Sequence, residues 1–321
     1  MPKIKLSNQE PKGTRDWLPE EFAIRHYIFE TWRQVCLSYG FQEYLTPLVE
    51  SAEIYRAKSG EDIGGKELMS FTDLGGRELC IRPEMTPSVT RLVSKIYASS
   101  AKPLKLFSIA NFMRNEKPQR GRNREFWQLN CDIFGSSSLA ADLEILQLAL
   151  DVMKAFGAPA ESFILRLNSR KLLDCLLPVF GVEIKERAAI FRILDKYNKI
   201  NSEEFKRRLS ALGVTAEAAK RLDSFMGGDQ QEFFTEALLA DESLKKAKQE
   251  IDFVLDQLRA LGYTQVKFDP TLIRGFDYYD GLVFEVFDNH PDNRRAMFGG
   301  GRYNGLAELF GTESFPAVGV A

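Results

Sequence analysis

The chain has 321 residues, 44% of them hydrophobic and 27% charged, and a formal net charge of -2. That length exceeds one ordinary domain, the composition suits a protein with a sizeable buried core, and the small net charge gives no global attraction to nucleic acid. No apolar run approaches the roughly 18 residues that a bilayer span needs, and no apolar core follows Lys3 and Lys5, so no membrane role or secretory signal is expected and the compartment expected is the cytoplasm.

Taken in chain order, the first third mixes strand and helix. "GFQEYLTPLVE", residues 40–50, is an aromatic run broken at an X-Pro step. "LCIRPEMTPSVTRLVSKIYA" reads as a strand feeding a helix. Thr86 is expected to be its N-cap, Pro87 its first helical residue, and Val89, Leu92, Val93 and Ile96 its buried stripe. Arg82, Glu84 and Thr86 then fall at a strand-to-helix junction, where side chains can converge on a ligand. The plain alternative is a surface Arg82–Glu84 pair with Thr86 merely capping.

Residues 104–134 suggest two strands joined by the polar loop "KPQRGRN". On the second strand Trp127, Leu129, Cys131 and Ile133 share one face, and Phe126, Gln128, Asn130 and Asp132 share the other. The loop region holds Arg114, Lys117, Arg120, Arg122 and Arg124 within eleven residues. Guanidinium forks suit phosphate oxygens, and the interleaved Glu116, Gln119, Phe126 and Gln128 add groups that can read a base edge or stack on a ring. A solvated hairpin tip is the alternative. A helix is expected over Asp142–Phe156, with Leu143, Leu146, Leu150 and Met153 inward and Gly157 as its stop.

From about 172 to 260 the pattern becomes a series of capped, amphipathic helical stretches with few strand signals, read as a helical insertion. Their charges suit a solvated face, with contact to an RNA backbone the weaker alternative. Strands resume at Gln265. In "RGFDYYDG", Asp280-Gly281 is expected to be a hairpin turn between strands at Leu272–Arg274 and Leu282–Phe287. A turn requires neither the arginine nor the tyrosines, and physics leaves core aromatics and a ligand site both open. "FGGGRYNG" lacks the endings of a P-loop or a dinucleotide fingerprint and is expected to form a Gly-rich turn before a helix. The four cysteines Cys36, Cys80, Cys131 and Cys175 make no CxxC pair, which points to buried thiols, and no metal site is expected. His26 and His290 have no partner base nearby, which argues against histidine-based catalysis.

"PKGTRDWLP", "GFQEYLTPLVE", "RPEMTPSVTRL", "FMRNEKPQRGRNREFWQLNCDIFG", "IRGFDYYDGLVFEVFD" and "FGGGRYNGL", in this order, resemble the catalytic domain of the histidyl-tRNA synthetases, a class II aminoacyl-tRNA synthetase family. "RGFDYY" followed by "GGGRY" is particular to the histidine enzymes. The resemblance implies an α+β fold with an antiparallel sheet flanked by helices, divided into catalytic segments 1–171 and 261–321 around an insertion at 172–260. It implies ATP and Mg2+ as cofactors, L-histidine and tRNA(His) as substrates, and a homodimer built partly on "GFQEYLTPLVE".

Carried over by position, Glu84, Thr86 and Gln128 hold the α-amino group of histidine. Asp132 and Tyr279 address the imidazole, and Tyr278 and Tyr303 complete the histidine set. Arg114 bridges the carboxylate and the α-phosphate, Glu116 and Arg122 bind ATP, Phe126 stacks on adenine, and Arg274 stabilises charge on the α-phosphate. Three departures stand out. Asp132 replaces the glutamate of bacterial members, Asp280 replaces a small hydroxylic residue, and the chain stops at "FPAVGVA", where the third class II motif begins. The resemblance therefore implies a catalytic-domain fragment without an anticodon-binding domain and with weak or no adenylation activity. Two other readings remain at this point: a histidine-binding paralogue acting as regulatory subunit of ATP phosphoribosyltransferase, and a class II synthetase for another amino acid.

Overall fold

The structure of the chain, a computed structural model, describes residues 6–57, 59–60, 62–119, 121–182, 187–228, 233–273, 278–293 and 295–321. Its contacts divide it into two compact units, one of Met1–Ala101, Lys105–Cys131 and Leu306–Glu313, the other of Lys102–Leu104, Asp132–Gly305 and Ser314–Ala321. Eight strands form a mixed sheet and three more form a second sheet.

The first unit opens with α1 (Pro19–Ser38), whose proline stands in the first turn, where no backbone N–H is needed, and whose Glu20 and Glu21 complement the helix dipole. β1 (Gln42–Glu43) pairs parallel with β5 (Leu104–Met113) in the register Gln42↔Leu106. β2 (Val49–Ser51), β3 (Met69–Thr72) and β4 (Glu78–Ile81) form the small antiparallel sheet in the order β2-β4-β3. Beside it, α2 (Glu53–Arg56) contributes the fully buried Tyr55 to a cluster with Ala52, Leu68 and Cys80.

α3 (Thr86–Ile96) forms where the periodicity places it, with Val89 and Val93 buried, but Leu92 is only half-buried, Ile96 at the helix end is exposed, and the start differs from expectation. Thr86 is the first helical residue, Met85 occupies the cap position without a side-chain hydrogen bond, and the Thr86 carbonyl accepts from Thr90 Oγ1 at 2.8 Å. β6 (Glu125–Phe134) has both faces covered toward its end, so Asn130 and Asp132 are buried along with Cys131 and Ile133. Cys36 and Cys131 lie buried with their Sγ atoms 3.3 Å apart, and none of the four cysteines forms a disulfide.

The second unit begins with α4 (Leu139–Ala155), capped by Ser138, whose hydroxyl accepts from the Ala140 N–H. The helix starts three residues before the expected Asp142 and ends within a residue of expectation, followed by Gly157 at φ 75°. Leu146 and Leu150 are buried as expected, whereas Leu143 and Met153 are half-buried, and Ile145, Leu148 and Val152 widen the apolar surface beyond one stripe. β7 (Phe163–Ser169) follows, then α5 (Arg170–Val179), α6 (Arg187–Leu194), α7 (Ser202–Ala211), α8 (Ala216–Gly227) and α9 (Glu242–Ala260). Side chains of Ser169, Asn201, Thr215 and Asp241 cap α5, α7, α8 and α9, the last three in the region expected to form capped helices. Among the described residues no helix is long and apolar enough to cross a membrane.

β8 (Val266–Phe268), β9 (Leu282–Asp288), β10 (Ala296–Arg302) and β11 (Ala317–Val320) complete the sheet, which in this unit runs β11-β10-β9-β7-β8. The β11/β10, β10/β9 and β9/β7 pairs are antiparallel and β7/β8 is parallel. A sheet flanked by helices is the expected architecture, and its strands are mixed rather than purely antiparallel. The parallel pairs β1/β5 and β7/β8 join strands separated by long stretches of chain, as parallel pairing requires.

Two local expectations are corrected. Leu272 and Ile273 belong to no strand, and Asp280-Gly281 is not a hairpin turn; the Asp280 N–H instead donates to the Arg302 carbonyl at 3.1 Å, extending the β9/β10 pairing. The glycines of "FGGGRY" lie inside β10, not in a turn. Their reason is close approach: a Cβ on Gly300 would stand 1.9 Å from the Gly319 carbonyl oxygen, and one on Gly301 would stand 2.5 Å from the Leu282 carbonyl oxygen. Gly300→Ala should accordingly destabilise the protein by about 3 kcal/mol or more, since backbone must shift to admit the methyl group; a denaturant midpoint within error of the wild type would remove this account of the motif.

Candidate active site

In the first unit, the side chains marked out by the "RPEMT" and hairpin motifs divide into anchors and free faces. Arg82 is an anchor. Its guanidinium donates to the carbonyls of Thr46 (2.7 Å), Asn111 (3.0 Å) and Pro47 (3.4 Å) and lies over the Phe112 ring. It is buried and occupied by backbone oxygens, which rules out the alternative of a surface pair with Glu84. Glu84 is buried as well, and Thr86 is half-buried at the helix start.

Arg114 donates through Nε to the Pro83 carbonyl at 3.0 Å, with its guanidinium carbon 5.0 Å from the centre of the Phe126 ring. Burial lowers its pKa while the charges of Glu84, Glu67 and Glu116 oppose that shift, and a guanidinium stays protonated throughout. Phe126 in turn stacks on Phe112 at 5.7 Å. Across the loop, Arg122 pairs with Glu116 at 2.9 Å, the Glu116 carbonyl accepts from Arg124 at 3.0 Å, and Gln119 and Arg122 exchange backbone hydrogen bonds. The loop is thus an organised hairpin end whose Lys117, Gln119 and Arg122 remain exposed to solvent. Gln128 is half-buried on β6, its carbonyl accepting from Asn130 at 3.3 Å.

In the second unit, the aromatic residues singled out in the sequence come together. Tyr278 and Tyr279 have ring centres 4.8 Å apart, and Tyr303 lies 5.7 Å from the first and 6.5 Å from the second. Tyr303 donates its hydroxyl to Asp132 Oδ1. Asp132 is only 4% exposed, and burial pushes its pKa up to about 7 against the lowering pull of the Tyr303 hydrogen bond. Arg274, Gly275, Phe276 and Asp277 lie outside the described residues, as does Arg120.

Sequence reasoning passed over three residues here. Asp142 and Arg302 form a buried ion pair, with Nη2 2.6 Å from Oδ2 and Nε 3.0 Å from Oδ1. Asn304 donates to Asp280 from its backbone N–H and its side-chain amide, both at 3.0 Å. A charged residue on the inward side of an otherwise apolar helix start, and an arginine closing a glycine strand, were the available signals. The Asp280 contact also accounts for the departure at that position: a carboxylate there accepts two hydrogen bonds.

With both groups of residues placed, relationships to known proteins become decisive. The profile of the family described as histidyl-tRNA synthetase matches residues 13–321. The chain belongs to this family. It is 41% identical over 322 aligned positions to a protein named histidine--tRNA ligase from Leptospira biflexa, covering 99% of this chain and 73% of that relative. A solved structure from Bacillus halodurans, described as an ATP phosphoribosyltransferase regulatory subunit/histidyl-tRNA synthetase, superposes with a TM-score of 0.81 at 26% identity, over 99% of this chain and 81% of the other. The histidyl-tRNA synthetase from Nostoc sp. PCC 7120 superposes at 0.82 over 98% of this chain and 73% of its own, and at 22% identity it shows the shared fold.

Within the histidyl-tRNA synthetase fold, Asp132 is the described acidic group whose titration is most clearly tied to burial and to one phenol. Its raised pKa has a sign that can be checked. A carboxyl whose folded-state pKa exceeds its unfolded value of 3.8 stabilises the fold fully below that value and loses the contribution as pH rises through about 7. Asp132→Asn should therefore flatten the fall in thermal midpoint between about pH 4 and 7, each tenfold difference in proton affinity between folded and unfolded chain being worth about 1.4 kcal/mol; parallel midpoint curves for variant and wild type would contradict the assignment.

Proposed function

We propose that the chain activates L-histidine with ATP, forming histidyl-adenylate and pyrophosphate, and transfers the histidyl group to the terminal ribose of tRNA(His). The observation that carries this reading is the buried Asp132 held by Tyr303 beside Tyr278 and Tyr279. A carboxylate and a phenol give each imidazole nitrogen a partner, so Asp132 takes a ring N–H and the Tyr279 hydroxyl meets the other nitrogen. An apolar side chain of the same size would leave these groups unpaired, which is how a polar pocket rejects isosteres.

In this reading Glu84, Thr86 and Gln128 hold the α-ammonium group. Arg114 draws the carboxylate toward the α-phosphate, Arg122 and Glu116 bind the nucleotide, and Phe126 offers its face to adenine, consistent with its existing stacking on Phe112. Arg274 answers the charge that builds on the α-phosphate as the carboxylate attacks and pyrophosphate leaves. Among the described residues no three or more His, Cys, Asp or Glu gather to hold a metal. Magnesium suits this arrangement as an ion carried on the phosphates of ATP, needing few protein ligands and neutralising charge there. Residues 172–260 form the insertion in this scheme, a second copy of the chain covers the segment of the exposed Leu45, Leu48 and Val49, and the cytoplasm is the working compartment.

The regulatory-subunit alternative shares the histidine pocket and draws support from the name given to the Bacillus halodurans protein. The nucleotide-facing set favours the ligase: Arg114, Glu116 and Arg122 are all present, and the last two are paired at 2.9 Å. Amino-acid-dependent ATP–pyrophosphate exchange decides the matter. Histidine should be the amino acid that supports exchange; activation of proline or threonine instead would reject the assignment. Arg274→Ala should slow exchange by about 100-fold or more with a smaller change in histidine affinity. Tyr279→Phe should weaken histidine binding by about 1–3 kcal/mol, the usual result of leaving a polar partner unmatched.

A further inference from the structure

Three consecutive residues, the last of β10 and the two that follow it, are held by three different aspartates. Arg302 pairs with Asp142, its Nη1 also reaching the Ser136 carbonyl at 2.9 Å and its Nη2 the Ser138 carbonyl at 3.3 Å. Tyr303 donates to Asp132. Asn304 donates twice to Asp280, and the Asp280 N–H closes the loop by donating to the Arg302 carbonyl at 3.1 Å. The backbone is fixed at the same point, since the Tyr303 N–H donates to the Ala317 carbonyl at 2.8 Å.

Of the three aspartates, only Asp132 has a part in the proposed chemistry. The Asp142–Arg302 pair is almost wholly out of water, and buried ion pairs are weak contributors to stability because desolvation offsets their attraction. What a network satisfied at each member does provide is a single orientation for those members; here the Asp142–Arg302 arm is buried and the Asp280–Asn304 arm lies at the surface. Here the member between the two clamps is a tyrosine, whose hydroxyl stands at the far end of a ring where a small backbone rotation displaces it most.

We propose that Asp142 and Asp280 are positioning residues: by fixing Arg302 and Asn304 on either side of Tyr303 they aim its hydroxyl at Oδ1 of Asp132, which leaves Oδ2 for the imidazole N–H of histidine. The inference rests on the reading of Asp132 as the imidazole partner. It assigns a task to the two carboxylates that touch no substrate, and it makes the Asp280–Asn304 contact part of the specificity of the site.

The test is histidine binding by titration calorimetry on the 321-residue chain, in a double-mutant cycle of Asp280→Asn with Tyr303→Phe. Asp280 is exposed, so its variant is expected to fold, and an unchanged thermal midpoint checks this. Asp280→Asn should weaken histidine binding about tenfold alone and less than about twofold when Tyr303 is already phenylalanine, because coupled residues are not additive. It should also move the pH midpoint of histidine binding upward, since a misdirected Tyr303 hydroxyl lowers the Asp132 pKa less. Asp142→Asn should show the same coupling, with Arg302→Lys intermediate. Equal losses in both backgrounds, or an unmoved pH profile, would mean a merely structural role and overturn the proposal. A wild-type chain that binds no histidine would overturn the functional reading itself, a distinct outcome visible before any variant is made.

Discussion

The close approach of backbones along β10 is the constraint on which the second unit depends. Without side chains at Gly300 and Gly301, the strand lies against the Gly319 and Leu282 carbonyls at distances no Cβ would allow. The Tyr279 ring occupies part of the same space, 2.9 Å from where a Gly301 Cβ would stand. The three tyrosines gather because the strand beside them is thin, and the next residue, Arg302, then ties that strand down. Glycine and arginine are complementary here: one removes bulk so that the strand can pack, and the other fixes it by charge.

The first unit solves a related problem differently. Carbonyls of Thr46 and Pro47, in the loop before β2, and of Asn111, within β5, converge beside its strand-to-helix junction, where unpaired backbone oxygens are unfavourable. One guanidinium, that of Arg82, answers all three. Arg114 answers a fourth carbonyl, that of Pro83, while its guanidinium lies over the Phe126 ring, which stacks on Phe112. The division of labour between two arginines is invisible to a count of positive charges.

Periodicity revealed the elements that bury one continuous face. α3, β5 and β6 were legible as elements from their apolar spacing, and the helices from Ser202 to Ala260 from spacing and cap residues together, although the cap expected at Thr86 and the one-sided burial expected of β6 were not found. Asp280-Gly281 and the glycines of β10 misled, since local turn signals say nothing about another strand passing alongside. The family motifs identified which polar residues to watch, and the gathering of Tyr278, Tyr279, Tyr303 and Asp132 followed them. Asp142 and Asn304 escaped attention because each acts through a neighbour that lies far away in sequence.

That distance has a kinetic meaning. Asp142 and Arg302 are separated by 160 residues, and Asp132 and Tyr303 by 171. Between them lies a run of helices, the last of which, α9, packs back on α4 and α5. A contact between residues so far apart can form only once the longest loops of the unit are closed, so the tie between Tyr303 and Asp132 is expected late in folding.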